Sequence, residues 1–186
     1  MREFYECHNN IVAPRKARTI NIKKEDVFKE IDSLTYKYAE TSTIEAPQVK
    51  NAVSSDSHEN LDGHILARHV EMRDARLRQL ISFALDDSIE QFGADNTLVL
   101  NPEYVYRLIL SVSFKDSLLK ALATYFHRYL VYGALYDWYA AGMGSNQAKV
   151  YEKDLADIEA SITNMLHSDE IVKMPMQPFG PARRII

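Results

Sequence analysis

Six histidines and one cysteine bound the metal and thiol chemistry this chain could carry. His58, His64 and His69 form the only histidine cluster. Metal ligands on a helix sit three or four residues apart, on one face. His64 and His69 are five apart and point to different faces, so no metal site is expected. Cys7 beside His8 is half of a thiol–imidazole pair, but no third member orients the imidazole, so no nucleophile is expected either. A single cysteine also excludes an internal disulfide framework and a cysteine-based zinc cluster.

Two carboxylate groups remain, Asp86, Asp87 and Glu90, and Asp154, Asp157 and Glu159. Paired carboxylates serve as acid and base, or hold magnesium. Neither group is accompanied by a glycine-rich loop, and both read as solvated helix faces. The chain carries no GxGxxG, GxxxxGK[ST], HExxH or GxSxG motif. The expectation is a protein that is not an enzyme, with no catalytic residues, no cofactor, no metal and no small-molecule substrate.

Contact chemistry is better represented. Eleven tyrosines stand against one tryptophan and seven phenylalanines. Tyrosine joins an apolar ring to a polar tip, which suits surfaces buried against a partner. Tyr125, Tyr129, Tyr132, Tyr136 and Tyr139 step by four and three, so five rings line one helical seam. Base stacking would require interleaved cations, and only Arg128 is near, so the seam reads as a packing surface at a bundle edge or against another subunit. Arg73, Arg76 and Arg78 lie among Glu71 and Asp74, where intrahelical ion pairs compete with phosphate binding.

The 186 residues are 46% hydrophobic and 26% charged, which places the chain among globular proteins of about one domain. No apolar run is long enough to span a bilayer, and MREFYECHNNIVAPRKARTI has no signal-peptide core, so a soluble protein in a reducing compartment is expected. Charge is uneven. Residues 1–24 hold six basic and two acidic side chains, while residues 25–101 hold seven basic and fifteen acidic. A basic arm on an acidic body invites head-to-tail contact between copies, or a touch on nucleic acid.

The elements that must position these groups are mostly helical. Residues 1–20 lack periodicity and read, with Pro14, as an extended arm that orders on a partner. Val27, Ile31, Leu34 and Tyr38 predict a first helix from Lys24 to about Glu40, with Glu25 and Asp26 in its first turn. The polar stretch 41–63 reads as a loop. A second helix is predicted over about 64–92 from Val70, Leu77, Ile81, Leu85 and Phe92, with Gly93 as its cap. At that length it would be a rod of about 43 Å.

Alternation through Tyr104, Tyr106, Leu108, Leu110 and Val112 predicts one strand. A lone strand leaves backbone groups unpaired, so it needs the arm near Arg18–Ile22 or a strand from another chain. Two further helices, about 116–141 and 145–167, form an antiparallel hairpin across GMGSN. The tail 168–186 holds Pro175, Pro178 and Pro181 and cannot be helix.

The fold class is therefore mainly α: a helical bundle with a C-terminal helical hairpin, one long helix, one or two short strands and extended arms. The divisions are 1–22 as N-terminal arm, 23–167 as helical domain and 168–186 as tail. Candidate subunit contacts are Arg15, Lys16, Arg18, Ile20 and Ile22 on the arm and Tyr104, Tyr106 and Leu108 on the strand. The tyrosine seam, Tyr125, Tyr129, Tyr132, Tyr136 and Tyr139, adds a third set, and Pro175, Pro178 and Phe179 on the tail a fourth.

Two stretches carry a resemblance. One is KKEDVFKEIDSLTYKYAET at 23–41; the other is the hairpin at 116–167, with LYDWYAAG closing one helix and AKVYEKDLADIEASITNML forming the next. Their order resembles the head–tail connector (adaptor) proteins of tailed bacteriophages, such as those of phages of gut Bacteroidetes. The chain departs from the smallest connectors in its basic arm, its 41–63 loop and its proline-rich tail. The resemblance implies a structural virion protein, assembled in the host bacterial cytoplasm, forming a homo-oligomeric ring in the neck. Such a ring, dodecameric if a connector, would join the portal and capsid vertex to other neck and tail proteins. It would line the DNA channel, with transient contact to packaged DNA and none to membrane. The competing readings are another phage interaction protein (a tail-completion, scaffold or adaptor factor), or a nucleic-acid-binding regulator using the basic arm.

Overall fold

The computed structural model describes residues 14–41, 61–86, 102–143 and 145–170. Those residues are mainly helical, with one antiparallel strand pair. Strand β1 (Arg15–Lys23) pairs with β2 (Glu103–Ser111) along its whole length, from Arg15 opposite Ser111 to Lys23 opposite Glu103. Backbone bonds extend the ladder at both ends, from Val112 N–H to the Pro14 carbonyl (3.0 Å) and from Lys24 N–H to the Pro102 carbonyl (2.9 Å).

Successive side chains of a strand face opposite ways. Ile20, Ile22, Tyr104, Tyr106, Leu108 and Leu110 accordingly share one buried face. Arg15, Thr19, Asn21 and Lys23 share the other and are exposed. A one-residue slip would turn the whole apolar set outward, so the register is strongly specified. This corrects one expectation and decides another. Residues 15–22 are a strand of the body and not an arm awaiting a partner. Of the two partners expected for the strand at 104–112, it takes the segment near Arg18–Ile22 of its own chain. The physical reason is that Ile20 and Ile22 complete the apolar face that β2 offers.

Helix α1 (Lys24–Thr41) follows β1 without a break and buries Val27, Ile31 and Thr35. The Thr35 hydroxyl donates to the Ile31 carbonyl at 2.9 Å, which satisfies it in the core. Helix α2 (Leu61–Leu80) buries Leu66, Val70 and Leu77. It ends earlier than the periodicity predicts, and the 43 Å rod is not formed. The chain turns at Ile81 into a short 3-10 turn, Ser82–Ala84, and then lies along the free edge of β2. There Leu85 bridges to Leu108, and Asp86 N–H donates to the Arg107 carbonyl at 2.9 Å. Apolar spacing of three or four serves either geometry, but the unpaired edge of β2 draws these backbone groups away from a helix.

Helix α3 (Asp116–Trp138) is the central element, packing against α1, α2, β1 and helix α4 (Ser145–Glu170). Leu122, Phe126, Leu130, Val131, Ala134 and Leu135 are fully buried along it. A wide π turn, Tyr139–Met143, loosens its end before α4 runs back antiparallel, as the hairpin reading expects. Helix α4 buries Ala148, Tyr151, Leu155, Ile158, Ile162 and Leu166 at helical spacing. Among the described residues, no helix is long and apolar enough to cross a membrane.

Candidate functional site

Polar chemistry concentrates in two places, a buried seam around α2 and an open groove between α3 and α4. The seam starts from Arg73, whose side chain is only 6% exposed. Its guanidinium donates from Nε to Asp137 Oδ2 at 2.7 Å and from Nη2 to Oδ1 at 2.6 Å. The fork geometry of arginine matches a carboxylate in this bidentate way, and charge makes both bonds strong. To reach Asp137 the side chain lies across Gly133, one helical turn earlier. A Cβ built on Gly133 would come within 2.5 Å of Arg73 Cδ and 2.8 Å of Cγ. That close approach accounts for a glycine inside a helix, where it costs about 1 kcal/mol relative to alanine.

The neighbouring residues of α2 grip β2. Asp74 accepts from the Tyr106 hydroxyl at 2.6 Å and from Arg78 Nε at 2.9 Å. Arg78 also lies over the Tyr106 ring, 4.8 Å from its centroid, and donates to the Val105 carbonyl. Glu71 accepts from Lys24 Nζ at 3.0 Å and from the Tyr104 hydroxyl at 3.1 Å. Burial first, and then the adjacent carboxylates, push both hydroxyls well above the usual tyrosine range: Glu71 acts on Tyr104 and Asp74 on Tyr106. Burial also raises Tyr129, helped by Glu159 and opposed by Arg73. These groups are held protonated, as hydrogen-bond donors, and have no proton to exchange at neutral pH. The seam is a lock between α2, β2 and α3. His127 adds a similar link between α3 and α1, with Nε2 2.7 Å from Glu30 Oε2.

The groove is different in kind. It holds about 270 Å³ and is lined by Tyr125, Arg128 and Tyr132 of α3 and by Asp154, Asp157, Ile158 and Ser161 of α4. Tyr125 and Tyr132 are half-buried, while Arg128, Asp154 and Asp157 are exposed. Among the described residues, none of these three charges makes an ion pair within 4.0 Å. Tyr132 is braced from below by Tyr151, with ring centroids 5.5 Å apart, and Tyr151 stacks in turn on Tyr139.

The structure sorts the sequence candidates. The side chains of Ile20, Ile22, Tyr104, Tyr106, Leu108, Tyr129 and Tyr139 are buried in the chain's own core, so these side chains are not presented to a neighbour. The tyrosine seam is split for a geometric reason. Its five residues span about 80° of the helix surface, and its flanks turn into neighbours, Tyr129 toward α2 and Tyr139 toward α4. Tyr125, Tyr132 and Tyr136 stay half-buried between them, with Arg73 5.5 Å above the Tyr136 ring. Arg15 and Lys16 are exposed, and Arg18 is half-buried and paired with Asp116 at 3.3 Å. Pro175, Pro178 and Phe179 lie outside the described residues, as do Cys7, His8, His58, Asp87 and Glu90.

Of the α2 arginines, Arg78 forms the local pair that the spacing suggests, whereas Arg73 reaches 64 residues along the chain. Asp86 pairs with Arg107 at 3.0 Å. Among the described residues no three His, Cys, Asp or Glu side chains gather to hold a metal ion. Compared with known protein families, curated proteins and solved structures, the chain gives no match in any of the three.

Proposed function

We propose that this chain is a structural, non-catalytic subunit of an oligomeric ring, the neck or head–tail connector of a tailed phage. The ring joins the portal and capsid vertex to the tail around the DNA channel. The observation that carries the reading is the outer edge of β1. Among the described residues the sheet has two strands, and nothing pairs with the far side of β1. An open edge is a template for a strand from another chain, where backbone bonds supply affinity independent of side chains. Its exposed Lys16 and Lys23 discourage indiscriminate pairing and favour an acidic partner. A core closed by the chain's own elements fits a building block that assembles as a folded unit.

Native mass spectrometry and negative-stain imaging of the full chain test this, alone and with the portal protein of its own genome. Closed rings are expected, twelve-fold in the connector reading. A chain that stays monomeric in both conditions overturns the proposal. Should such a monomer bind DNA with an affinity that falls steeply with salt, the regulator reading takes its place.

A further inference from the structure

We infer that the exposed face of α2 around Met72 docks into the groove between α3 and α4 of a second copy of this chain. Met72 fills the groove, and Arg68 and Arg76 pair with Asp154 and Asp157. The inference rests on the oligomeric reading above and names a side-chain contact between copies that does not use the β1 edge.

Helical spacing sets the inserting face. Arg68, Met72 and Arg76 stand four residues apart on α2, so they form one stripe about 12 Å long. Val70, Arg73 and Leu77 hold the other side of the helix in the core. Met72 is 42% exposed, a large apolar side chain left in water between two cations. Arg68 makes no ion pair among the described residues. Arg76 lies 3.9 Å from Asp137, whose carboxylate Arg73 already holds at 2.6 Å, so Arg76 lacks a carboxylate of its own.

The groove complements this stripe group by group. Its volume is about 270 Å³, and Tyr125, Tyr132 and Ile158 form its walls. An unbranched thioether fits irregular gaps and makes favourable contacts with the edges of aromatic rings. Asp154 and Asp157, on the α4 rim, are exposed and unpaired among the described residues. Guanidinium groups match carboxylates in geometry as well as in charge. Arg128 on the α3 rim repels cations, which favours the orientation that lays both arginines over α4.

Only a second copy can bring the two surfaces together. Asp157 and Glu159 are two residues apart on α4, so about 200° of helix separates them. Glu159 acts on the Tyr129 hydroxyl, as does Arg73 of α2, so that shoulder of α4 turns toward α2. The groove opens on the other shoulder, with Asp157. The Met72 stripe in turn faces away from the core. Within one chain the two surfaces therefore point apart. A patch that binds a different patch on the next copy makes a head-to-tail contact, and such contacts close into rings when the rotation allows.

Charge exchange separates the outcomes. One variant of the full chain carries Arg68→Glu and Arg76→Glu, and a second carries Asp154→Arg and Asp157→Arg. Alone, each meets like charge at every contact. Its half-assembly concentration should rise roughly tenfold, the equivalent of about 1.4 kcal/mol. Mixed, the two variants should assemble again in strict alternation, and native mass spectrometry should count equal numbers of each. Arg68→Glu by itself, which leaves Arg76 beside Asp137, should give part of the loss, and circular dichroism checks that every variant is folded. With Met72→p-benzoylphenylalanine, irradiated mixtures of isotopically light and heavy copies should crosslink from one copy to the groove of another. Crosslinks confined to single copies, crosslinks to another surface, or assembly indifferent to the exchange overturn the inference. If rings form with that indifference, the inference falls and the ring reading stands. A chain that stays monomeric, alone and with the portal protein, ends both.

Discussion

The seam around α2 and the groove between α3 and α4 use the same residue types to opposite ends. Both combine arginine, aspartate and tyrosine. In the seam the charges are buried or half-buried and each is matched: Arg73 with Asp137, Arg78 with Asp74, Lys24 with Glu71. In the groove Arg128, Asp154 and Asp157 stand exposed and unmatched among the described residues. Desolvating a charge is tolerable only when a partner is fixed in place, so a matched pair belongs to the architecture. An exposed charge beside half-covered aromatic rings costs the monomer little and stays available for a contact. Composition alone does not distinguish the two regions. Pairing does.

The sharpest way to break that contrast is to remove one member of each set. Asp137→Ala leaves the buried Arg73 guanidinium without its carboxylate and should destabilise the chain by about 3–5 kcal/mol. Arg73→Ala should cost less, because Arg76 Nη1 lies 3.9 Å from Asp137 Oδ1. Asp154→Asn should move it by no more than about 0.5 kcal/mol. Chemical denaturation followed by circular dichroism reads both, and similar losses would erase the distinction. Next in size, Gly133→Ala drives a methyl group into Arg73, whose far end Asp137 prevents from retreating. A loss of about 2–4 kcal/mol is expected. Once Arg73 is alanine the clash is gone, and Gly133→Ala should become neutral or stabilising by up to about 1 kcal/mol. A double-mutant cycle that shows simple additivity would refute this crossing.

The seam should also declare itself in alkali. Tyr104 and Tyr106 hold their protons in the fold beyond the pH near 10 at which tyrosines of an unfolded chain lose them. Above that pH the folded state binds more protons, so stability is full below about pH 10 and declines as pH rises. Each retained proton contributes about 1.4 kcal/mol per pH unit. Urea titrations from pH 9 to 11.5 should show the decline, and Tyr106→Phe should make it shallower. The smallest effect belongs to the groove: Tyr132→Ser should change monomer stability by under about 1 kcal/mol while reducing the oligomeric fraction in native mass spectra. An unchanged fraction would remove the groove from the contact surface.

Much of this architecture is legible in the sequence because the signals are local. Val27 and Ile31 mark α1, the alternation from Tyr104 to Leu110 marks β2, and GMGSN marks the hairpin. The seam is not legible because its bonds are distant. Arg73 has Glu71 and Asp74 beside it, which satisfies the local pairing rule, yet its partner is 64 residues away. The one hint is Gly133, a helix-weakening residue amid apolar neighbours, which signals a close approach without naming what approaches. The end of α2 is hidden for a related reason. Leu77, Ile81 and Leu85 keep helical spacing, and only the vacant edge of β2 reveals why the chain leaves the helix. The groove residues Tyr125 and Tyr132 are legible as a stripe, but which tyrosines face outward depends on where α2 and α4 pack.

The pairing of β1 with β2 spans 79 intervening residues between Lys23 and Glu103. During synthesis the first strand leaves the ribosome long before its complement exists. At roughly 5–20 residues per second it waits on the order of 4–20 s. Throughout that interval the nascent chain carries an unzipped ribbon that could be captured by another polypeptide. Its lysines and arginines then act as temporary guards, and the α3–α4 hairpin, whose contacts are short in sequence, is the natural seed on which the sheet later closes.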